Sequence, residues 1–238
     1  MNRLYFIAHS CYLWESPDAY LLFDYYGAGD PWQWLSHLDE KPLYILTTHS
    51  HHDHYSPVIF EAVERYGGAV KYICHAELLN TLQDQIGAYE LHILETGQSY
   101  ADGLLQVKAF GSTDLGGSFY CEVGGAKLFH AGDLNNWHWN EEANDYYIRQ
   151  YEADWHRELE RLTAEVQEVD LLMFPTDLRL GKDYLKGLRE LLQKMKVNYL
   201  APMHLNGRLD PTQLEAFAGE RQFRLLLPDA SHPYDIVL

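Results

Sequence analysis

The sequence predicts an α/β fold of stacked layers, a prediction that rests on chain length, on the mixture of helical and strand patterns, and on composition. The 238 residues suffice for one large domain with a substantial buried core. Strand-like and helix-like segments are mixed along the whole chain, with no low-complexity stretch, repeat or linker-like composition between them. We therefore expect a single domain that spans residues 1–238.

Strand signals dominate the first half of the chain. Apolar, β-branched and aromatic residues form short runs bounded by Gly, Pro or Asp, at residues 4–8, 20–25, 43–48, 104–110 and 118–123. Two shorter apolar runs, at residues 171–174 and 199–201, follow helical patterns in the second half.

Helical patterns separate these strands, and the expected helices cover residues 57–65, 145–169, 183–195 and a segment that starts at Pro211. In the first of them, Ser56 is the expected N-cap and Pro57 occupies the first helical position, where its missing N–H costs nothing. The second and third carry apolar side chains at steps of three and four with charged residues opposite. Asp210 is the expected cap of the last helix.

Composition limits the classes of partner and compartment. Eighteen Lys+Arg against 35 Asp+Glu give a formal net charge of −17, which repels phosphate backbones and anionic lipid surfaces. No run of apolar residues is long enough to span a membrane. We expect neither nucleic acid nor a membrane as partner. Three widely spaced cysteines favour free thiols in a reducing compartment, and the first residues lack a signal-peptide pattern, so a cytoplasmic location is expected.

The segment TTHSHHDHYSP, residues 47–57, concentrates four histidines and an aspartate within six positions. It follows an apolar strand and precedes a capped helix, so the cluster is expected on a loop at the carboxyl end of a strand, where α/β sheets bind ligands. Imidazole and carboxylate suit zinc and related divalent metals. A polar surface loop is the alternative, but this density of imidazoles favours a metal site.

These residues resemble a known family. The segment from His49 to His54 matches the His-x-His-x-Asp-His signature of the metallo-β-lactamase-fold hydrolases. Downstream, FHAGDLNNW and YLAPMHL are similar to the family's later ligand segments. FIAHSCYLW and LLFDYYGAG are similar to the opening strands of the branch that includes ascorbate-6-phosphate lactonases. The resemblance covers almost the whole chain and implies a four-layer αβ/βα sandwich.

The resemblance also implies two neighbouring metal sites. The first would use His49 and His51, and Asp133 would bridge it to a second site formed by Asp53, His54 and His204. His52 occupies a variable position of the signature and is left out.

One family ligand is missing. Members usually carry a further histidine in a Gly-His-Thr-x-Gly segment, and Ser112 stands at that position here. A serine hydroxyl is a poor ligand for zinc, so the first site is expected to be weak unless another residue substitutes. Asp114 is the candidate, which would favour harder ions such as manganese or magnesium. An aspartate that only caps a turn is the equal alternative.

Two residues are expected to support the ligands. Asp24, at the end of a predicted strand, would orient a metal-bound histidine through a hydrogen bond, as the family resemblance favours. An exposed strand-end carboxylate is the alternative. His9 could reach the cleft, or could be a histidine satisfied by the backbone. His130 is expected to support the site without binding metal.

Two further segments are candidates for substrate binding. Trp137 and His138 lie in NNWHW, which directly follows Asp133, and aromatic and amide side chains there suit a pocket wall as well as they suit a core cover. In FPTDLRLGK, the side chains of Asp177, Arg179 and Lys182 could read an anionic group, with exposed loop charges as the alternative.

Together these features predict a hydrolase that uses metal-activated water. One or two divalent metal ions are expected, with zinc favoured and manganese or magnesium as alternatives. Asp53 and Asp133 are the expected catalytic carboxylates, with Asp53 orienting the water or accepting its proton. By resemblance to the lactonase branch, the substrate would be a small metabolite lactone, ester or phosphoester, whereas the lack of an export signal argues against β-lactams. A nuclease of the same fold and a non-catalytic metal-binding or ligand-sensing module are the alternatives, and a homo-oligomer is left open.

Overall fold

A computed structural model describes residues 1–35 and 40–238, and it contains two seven-stranded sheets. The first sheet comprises β1 (Asn2–Ala8), β2 (Cys11–Glu15), β3 (Tyr20–Phe23), β4 (Leu43–Thr47), β5 (Val70–His75), β6 (Leu91–Leu94) and β14 (Tyr234–Ile236). The second comprises β7 (Ser99–Ala101), β8 (Leu105–Phe110), β9 (Ser118–Val123), β10 (Ala126–His130), β11 (Glu168–Pro175), β12 (Lys196–Met203) and β13 (Arg224–Leu225).

Both sheets are mixed. The first runs in the order β14-β1-β2-β3-β4-β5-β6, antiparallel from β14 to β3 and parallel from β3 to β6. The second runs in the order β13-β12-β11-β10-β9-β8-β7, parallel from β13 to β10 and antiparallel beyond.

The described residues also form four α-helices: α1 (Val58–Ala62), α2 (Asp145–Glu165), α3 (Lys186–Leu191) and α4 (Pro211–Gly219). Short 3-10 helices lie at Pro31–Gln33, Val63–Arg65, Ala76–Leu79, Gln83–Gln85 and Leu178–Asp183. None of the described helices combines the length and apolar character needed to cross a bilayer.

Alternating burial along the strands shows how the layers stack. In β4, Tyr44 and Leu46 belong to a core shared with the second sheet, whereas Leu43 and Ile45 pack on the opposite face with Ile59 of α1. Side chains of β4 thus alternate between two buried faces. The core that the sheets share continues to α2 and α3 on the far side of the second sheet. This arrangement is the predicted four-layer αβ/βα sandwich.

The helix predicted at residues 145–169 is too long at its carboxyl end. It ends at Glu165, because Val166 is already extended at φ −115° and ψ 105°, and β11 begins at Glu168. Val169 pairs with Val197 in the parallel ladder between β11 and β12. Its apolar spacing fits a helix stripe and a strand equally well, and the sheet determines the outcome.

Two other predicted helices are shorter than expected. The segment at 183–195 contains only the six residues of α3, preceded by the 3-10 helix Leu178–Asp183. The segment at 57–65 is α-helical only over Val58–Ala62, and Pro57, rather than Ser56, occupies its N-cap position. Ser56 Oγ still accepts the Val58 N–H at 3.4 Å. The predicted cap of α4 is confirmed, since Asp210 accepts the Gln213 N–H at 3.0 Å.

Candidate functional site

The histidine cluster lies on the loop that follows β4, as the sequence predicts, and neighbouring carboxylates fix this loop. Asp24, directly after β3, is fully buried and accepts both the backbone N–H and the hydroxyl of Thr48 at 2.8 Å. Glu77, after β5, accepts the backbone N–H of Ser50 at 2.8 Å and its hydroxyl at 2.7 Å. The loop is therefore tied to the strands on both of its sides.

Two groups of candidate metal ligands converge at this edge of the sheets. Within each group, the ligand atoms lie within 4.8 Å of one another. The first group contains His49, His51 and Asp133, and the second contains His9, Asp53, His54 and His204. The grouping is the one that the family resemblance implies, with His9 added to the second group.

Asp133 stands between the two groups and directs one oxygen at each. Its Oδ2 lies 3.3 Å from His49 Nε2 and 3.9 Å from His51 Nδ1. Its Oδ1 lies 3.0 Å from His54 Nε2 and 3.5 Å from His204 Nε2. A carboxylate in this position can coordinate two cations at once.

Hydrogen bonds to Nδ1 orient three of the imidazoles. Asp24 Oδ2 lies 2.7 Å from His54 Nδ1, and Asp177 Oδ2 lies 2.9 Å from His204 Nδ1. The Thr48 hydroxyl donates a hydrogen bond to Asp24, so its oxygen can accept one from His49 Nδ1 at 2.9 Å. Each of these rings therefore carries a proton on Nδ1 and turns Nε2 toward Asp133 as the atom that a cation would bind, the arrangement typical of metal-binding histidines.

The residues present fit divalent cations. His54 Nε2 and Asp133 Oδ1 are buried, and within the described part of the chain neither atom has a hydrogen-bond partner, although they lie 3.0 Å apart. His9 Nε2 is likewise buried, and it lies 3.3 Å from Asp53 Oδ2. Buried polar atoms of this kind are normally satisfied by a protein group, a water or an ion. Imidazole nitrogens and carboxylate oxygens are the donors that zinc and its neighbours prefer.

The local charges favour ionised carboxylates. Burial alone would raise the pKa of Asp133, but His54 and His49 hold it well below its ordinary value. Burial alone would lower the pKa of His54, but the carboxylates of Asp133 and Asp24 raise it to about 10. A hydrogen bond from His9, together with the charge of His54, lowers the pKa of Asp53. A cation would therefore compete with a proton at His54, as is usual for histidine ligands.

The segment around Ser112 packs directly against the cluster loop. Gly116 adopts φ +70°, and a Cβ on it would lie 2.2 Å from the carbonyl oxygen of Thr48. Ser112 Oγ accepts the N–H of Asp114 at 3.2 Å. Asp114 lines the cavity beside His51, but it is not among the residues that group with His49 and His51. The first group thus has three protein donors, and Asp114 keeps a turn-forming contact.

A cavity of about 450 Å³ opens over both groups. Four candidate ligands line this cavity: His51, Asp53, Asp133 and His204. The remaining lining residues are His52, Thr113, Asp114, Trp137, Trp139, Tyr151 and Arg179. Trp137 and Trp139 stack with centroids 6.2 Å apart, and Trp137 also belongs to the core, so it serves as wall and core cover at once. The cavity is thus aromatic on one side and acidic on the other.

Several predicted substrate contacts lie elsewhere. His138 is fully buried with its Nε2 3.2 Å from the Asp183 carbonyl and its Nδ1 accepting from Asn140, so it stands behind the cavity wall. Lys182 is not among the lining residues. Asp177 is buried and holds His204, which makes it a counterpart of Asp24 and not a substrate contact.

The three residues predicted to support the ligands, Asp24, His9 and His130, all lie at or near the ligand groups. Asp24 takes the position that orientation of a metal-bound histidine requires, and His9 faces the second group with its ring 4.6 Å from that of His204. His130 stacks on Phe23 and lies 2.8 Å from the Ser10 carbonyl through Nε2. Glu77 and the role of Asp177 were not predicted from the sequence. Asp177 is the second residue after β11, much as Asp24 is the first residue after β3, and that parallel was the available signal.

Comparison with known proteins identifies relatives of the whole arrangement. A family model described as a beta-lactamase superfamily domain matches residues 3–204. A protein of Carboxydothermus hydrogenoformans, named a metal-dependent hydrolase, is 28% identical over 218 residues, which cover 86% of this chain and 84% of the relative.

Solved structures share the fold. The metallo hydrolase Igni18 from Ignicoccus hospitalis superposes with a TM-score of 0.67 at 15% identity, with 98% of each chain covered. The metallo-beta-lactamase fold protein YhfI from Bacillus subtilis gives a TM-score of 0.68 at 13% identity, again with 98% of each chain covered. At such identities these structures are evidence for the fold alone.

Proposed function

The chain belongs to the metallo-β-lactamase superfamily of metal-dependent hydrolases, and from this premise we propose that it hydrolyses a small metabolite ester, lactone or phosphoester. The observation that carries the proposal is the position of Asp133. Its two carboxylate oxygens address two separate groups of imidazoles, at 3.3 Å for His49 and 3.0 Å for His54. Zinc is the favoured metal, with manganese as the alternative.

In this proposal, His49, His51 and Asp133 hold one cation, while His54, His204, Asp53 and Asp133 hold the other. When bound, such a pair lowers the pKa of a shared water and polarises the carbonyl or phosphoryl oxygen of a substrate. No serine or cysteine nucleophile is then required.

The chain's own residues prepare the site for this chemistry. Asp24 and Asp177 fix Nδ1 of His54 and of His204, so that both rings turn Nε2 toward the site without rearrangement. Asp53 stays ionised beside His9, with 3.3 Å between its Oδ2 and His9 Nε2, and can orient a water as a hydrogen-bond acceptor. Trp137 and Trp139 line the cavity.

Net charge and cysteine usage support a small-molecule substrate and a cytoplasmic location. A charge of −17 opposes binding of a polynucleotide, which makes the nuclease alternative less favourable.

The test combines metal analysis with hydrolysis assays on the purified chain. We expect one to two equivalents of metal per chain, and metal-dependent turnover of at least one member of a panel of lactones, esters, thioesters and phosphodiesters. His49→Ala and Asp133→Ala should lose that activity, and Arg221→Gln, a change at a residue that does not line the cavity, should keep it. Variants of His49 and Asp133 that turn over a substrate at the parental rate would exclude the metal mechanism. A chain that binds metal but hydrolyses nothing would favour a non-catalytic module.

A further inference from the structure

One positively charged side chain stands in the wall of the cavity. Among the lining residues, all of which lie in the described part of the chain, Arg179 is the one with a permanent positive charge. Its side chain is 48% exposed, so part of the guanidinium faces solvent. The protein has a net charge of −17, so the position of this arginine beside the candidate metal site needs a physical explanation.

The guanidinium of Arg179 is fixed in place from two directions. Its Nε and Nη2 donate to Asp177 Oδ2 at 2.8 and 2.6 Å, and Asp177 Oδ1 accepts the backbone N–H of Arg179 at 2.9 Å. The guanidinium carbon also lies 5.8 Å from the centroid of the Trp139 ring. A guanidinium held by a carboxylate and an aromatic ring is preorganised, so it loses little freedom when it binds a ligand.

Asp177 does not use up the donors of this arginine. A guanidinium has five N–H groups, and Asp177 receives two of them, which leaves three for a ligand. The charge of Asp177 is also shared, because the same Oδ2 lies 2.9 Å from His204 Nδ1 and accepts from Asn206 at 2.9 Å. Arg179 therefore keeps hydrogen-bonding capacity toward the cavity.

We propose that Arg179 binds an anionic group, a carboxylate or a phosphate, that the substrate carries besides the bond that is hydrolysed. The inference rests on the proposed function and narrows it: the preferred substrates are small esters or lactones with a second, negatively charged end. The reacting carbonyl would lie over Asp133 and the two ligand groups, while the charged end would reach Arg179 in the wall of the same cavity. Arg179 is a specificity-determining residue in this scheme.

The test uses three activated esters that differ only at one end. The 4-nitrophenyl esters of adipic acid, of 5-phosphonopentanoic acid and of adipic acid monoamide share a spacer of four methylenes and end in a carboxylate, a phosphonate and a neutral carboxamide. The measured quantity is the ratio of kcat/KM for each anionic ester to that for the amide, on metal-loaded protein. This ratio does not depend on the fraction of loaded enzyme, because the same molecules process both substrates.

We expect the parent to prefer at least one anionic ester by about 10-fold or more, the effect of one charge-assisted contact at a half-exposed group. The identity of the preferred ester then shows whether the site favours a carboxylate or a phosphate group. Arg179→Gln should reduce that ratio by about 10-fold, and Arg179→Lys should fall between, since it keeps the charge but loses the planar fork. The matched control is Lys182→Gln, which removes a charge from the same segment outside the cavity and should leave the ratio unchanged.

Equilibrium binding separates this inference from the proposed function. The non-activated amides adipamide, adipamic acid and 5-phosphonopentanamide are titrated against the metal-loaded chain, with tryptophan fluorescence as the readout because Trp137 and Trp139 line the cavity. Anion preference that disappears in Arg179→Gln, without turnover of any ester, would support the anion site and refute the hydrolase. Ratios in turnover and binding that stay within about twofold of parent in Arg179→Gln would overturn the inference.

Discussion

The substitution Asp24→Asn tests how the candidate metal site is assembled. Asp24 is fully buried and receives three hydrogen bonds, from the Thr48 N–H, the Thr48 hydroxyl and His54 Nδ1. Asparagine has almost the same shape but replaces one acceptor oxygen with a donor NH₂. If the oxygen stays on the Thr48 N–H, the amide nitrogen faces His54 Nδ1, and two donors meet.

His54 can escape this conflict only by moving its proton to Nε2, the atom that would bind the metal. The alternative amide orientation spares His54 but turns the NH₂ toward the Thr48 N–H and releases the cluster loop. In either case a hydrogen bond that supports the ligands is lost, directly at His54 or through the cluster loop, and such a loss typically weakens metal affinity about 10- to 100-fold. That change corresponds to about 1.4–2.8 kcal/mol of binding free energy.

Competition against a chromophoric chelator, with zinc and with manganese, measures the affinity directly. The matched control is Asp102→Asn, which disturbs another hydrogen-bonded carboxylate far along the chain, where Asp102 accepts from Tyr44 and Tyr100 at 2.7 Å. This control should lose stability but bind metal as the parent does. An Asp24→Asn protein with parental metal affinity would show that His54 does not depend on its carboxylate partner, and the assignment of the second site would fall.

Three further predictions concern single residues. His9→Ala should weaken metal binding about 10-fold in the same competition, since His9 belongs to the second ligand group; an unchanged affinity would make it a neighbour only. Ser112→His should raise the metal content measured by mass spectrometry after desalting, because it supplies the imidazole that the first group lacks, and an unaltered content would count against this reading. Burial opposes ionisation of Asp102, but hydrogen bonds from the backbone N–H groups of Leu104 and Leu105 and from tyrosine hydroxyls lower its pKa. The stabilising effect of ionised Asp102 should therefore be complete above about pH 5 and decrease as the pH falls below 4. The free energies of unfolding in urea of the parent and of Asp102→Asn should differ at pH 6 and converge toward pH 2. A difference in unfolding free energy that stays constant with pH would refute the ionic origin of the effect.

Local sequence patterns predict the fold better where one period dominates. Three strands of the first sheet, β1, β3 and β4, were placed within about two residues, because apolar runs bounded by turn residues mark them, whereas β2, β5, β6 and β14 were not predicted. The end of α2 was missed because Val166 and Val169 suit a helix stripe and a strand alike. Inside α3, a Cβ on Gly187 would lie 2.2 Å from the Asn135 side chain, a contact that no local pattern contains.

Some residues of the candidate site could likewise be predicted from local sequence, whereas others depend on tertiary structure. His49, His51, Asp53 and His54 are close in sequence, so spacing alone brings them together. Asp133 and His204 come from other strands, and only the family resemblance connected them to the cluster. The contact between Asp177 and His204 follows from the pairing of β11 with β12, in which Pro175 lies opposite Met203. Register of this kind is a tertiary property, and for that reason Asp177 looked like a loop charge from the sequence.

The two ligand groups draw on both halves of the sandwich, with the histidine cluster from the first sheet and Asp133 and His204 from the second. A cation held there would join the two sheets, and unfolding of the chain would require its release. Free metal at 100 times its dissociation constant would add about 2.7 kcal/mol to the unfolding free energy. The supply of metal in the cell would then govern the lifetime of this protein against proteases as well as its turnover.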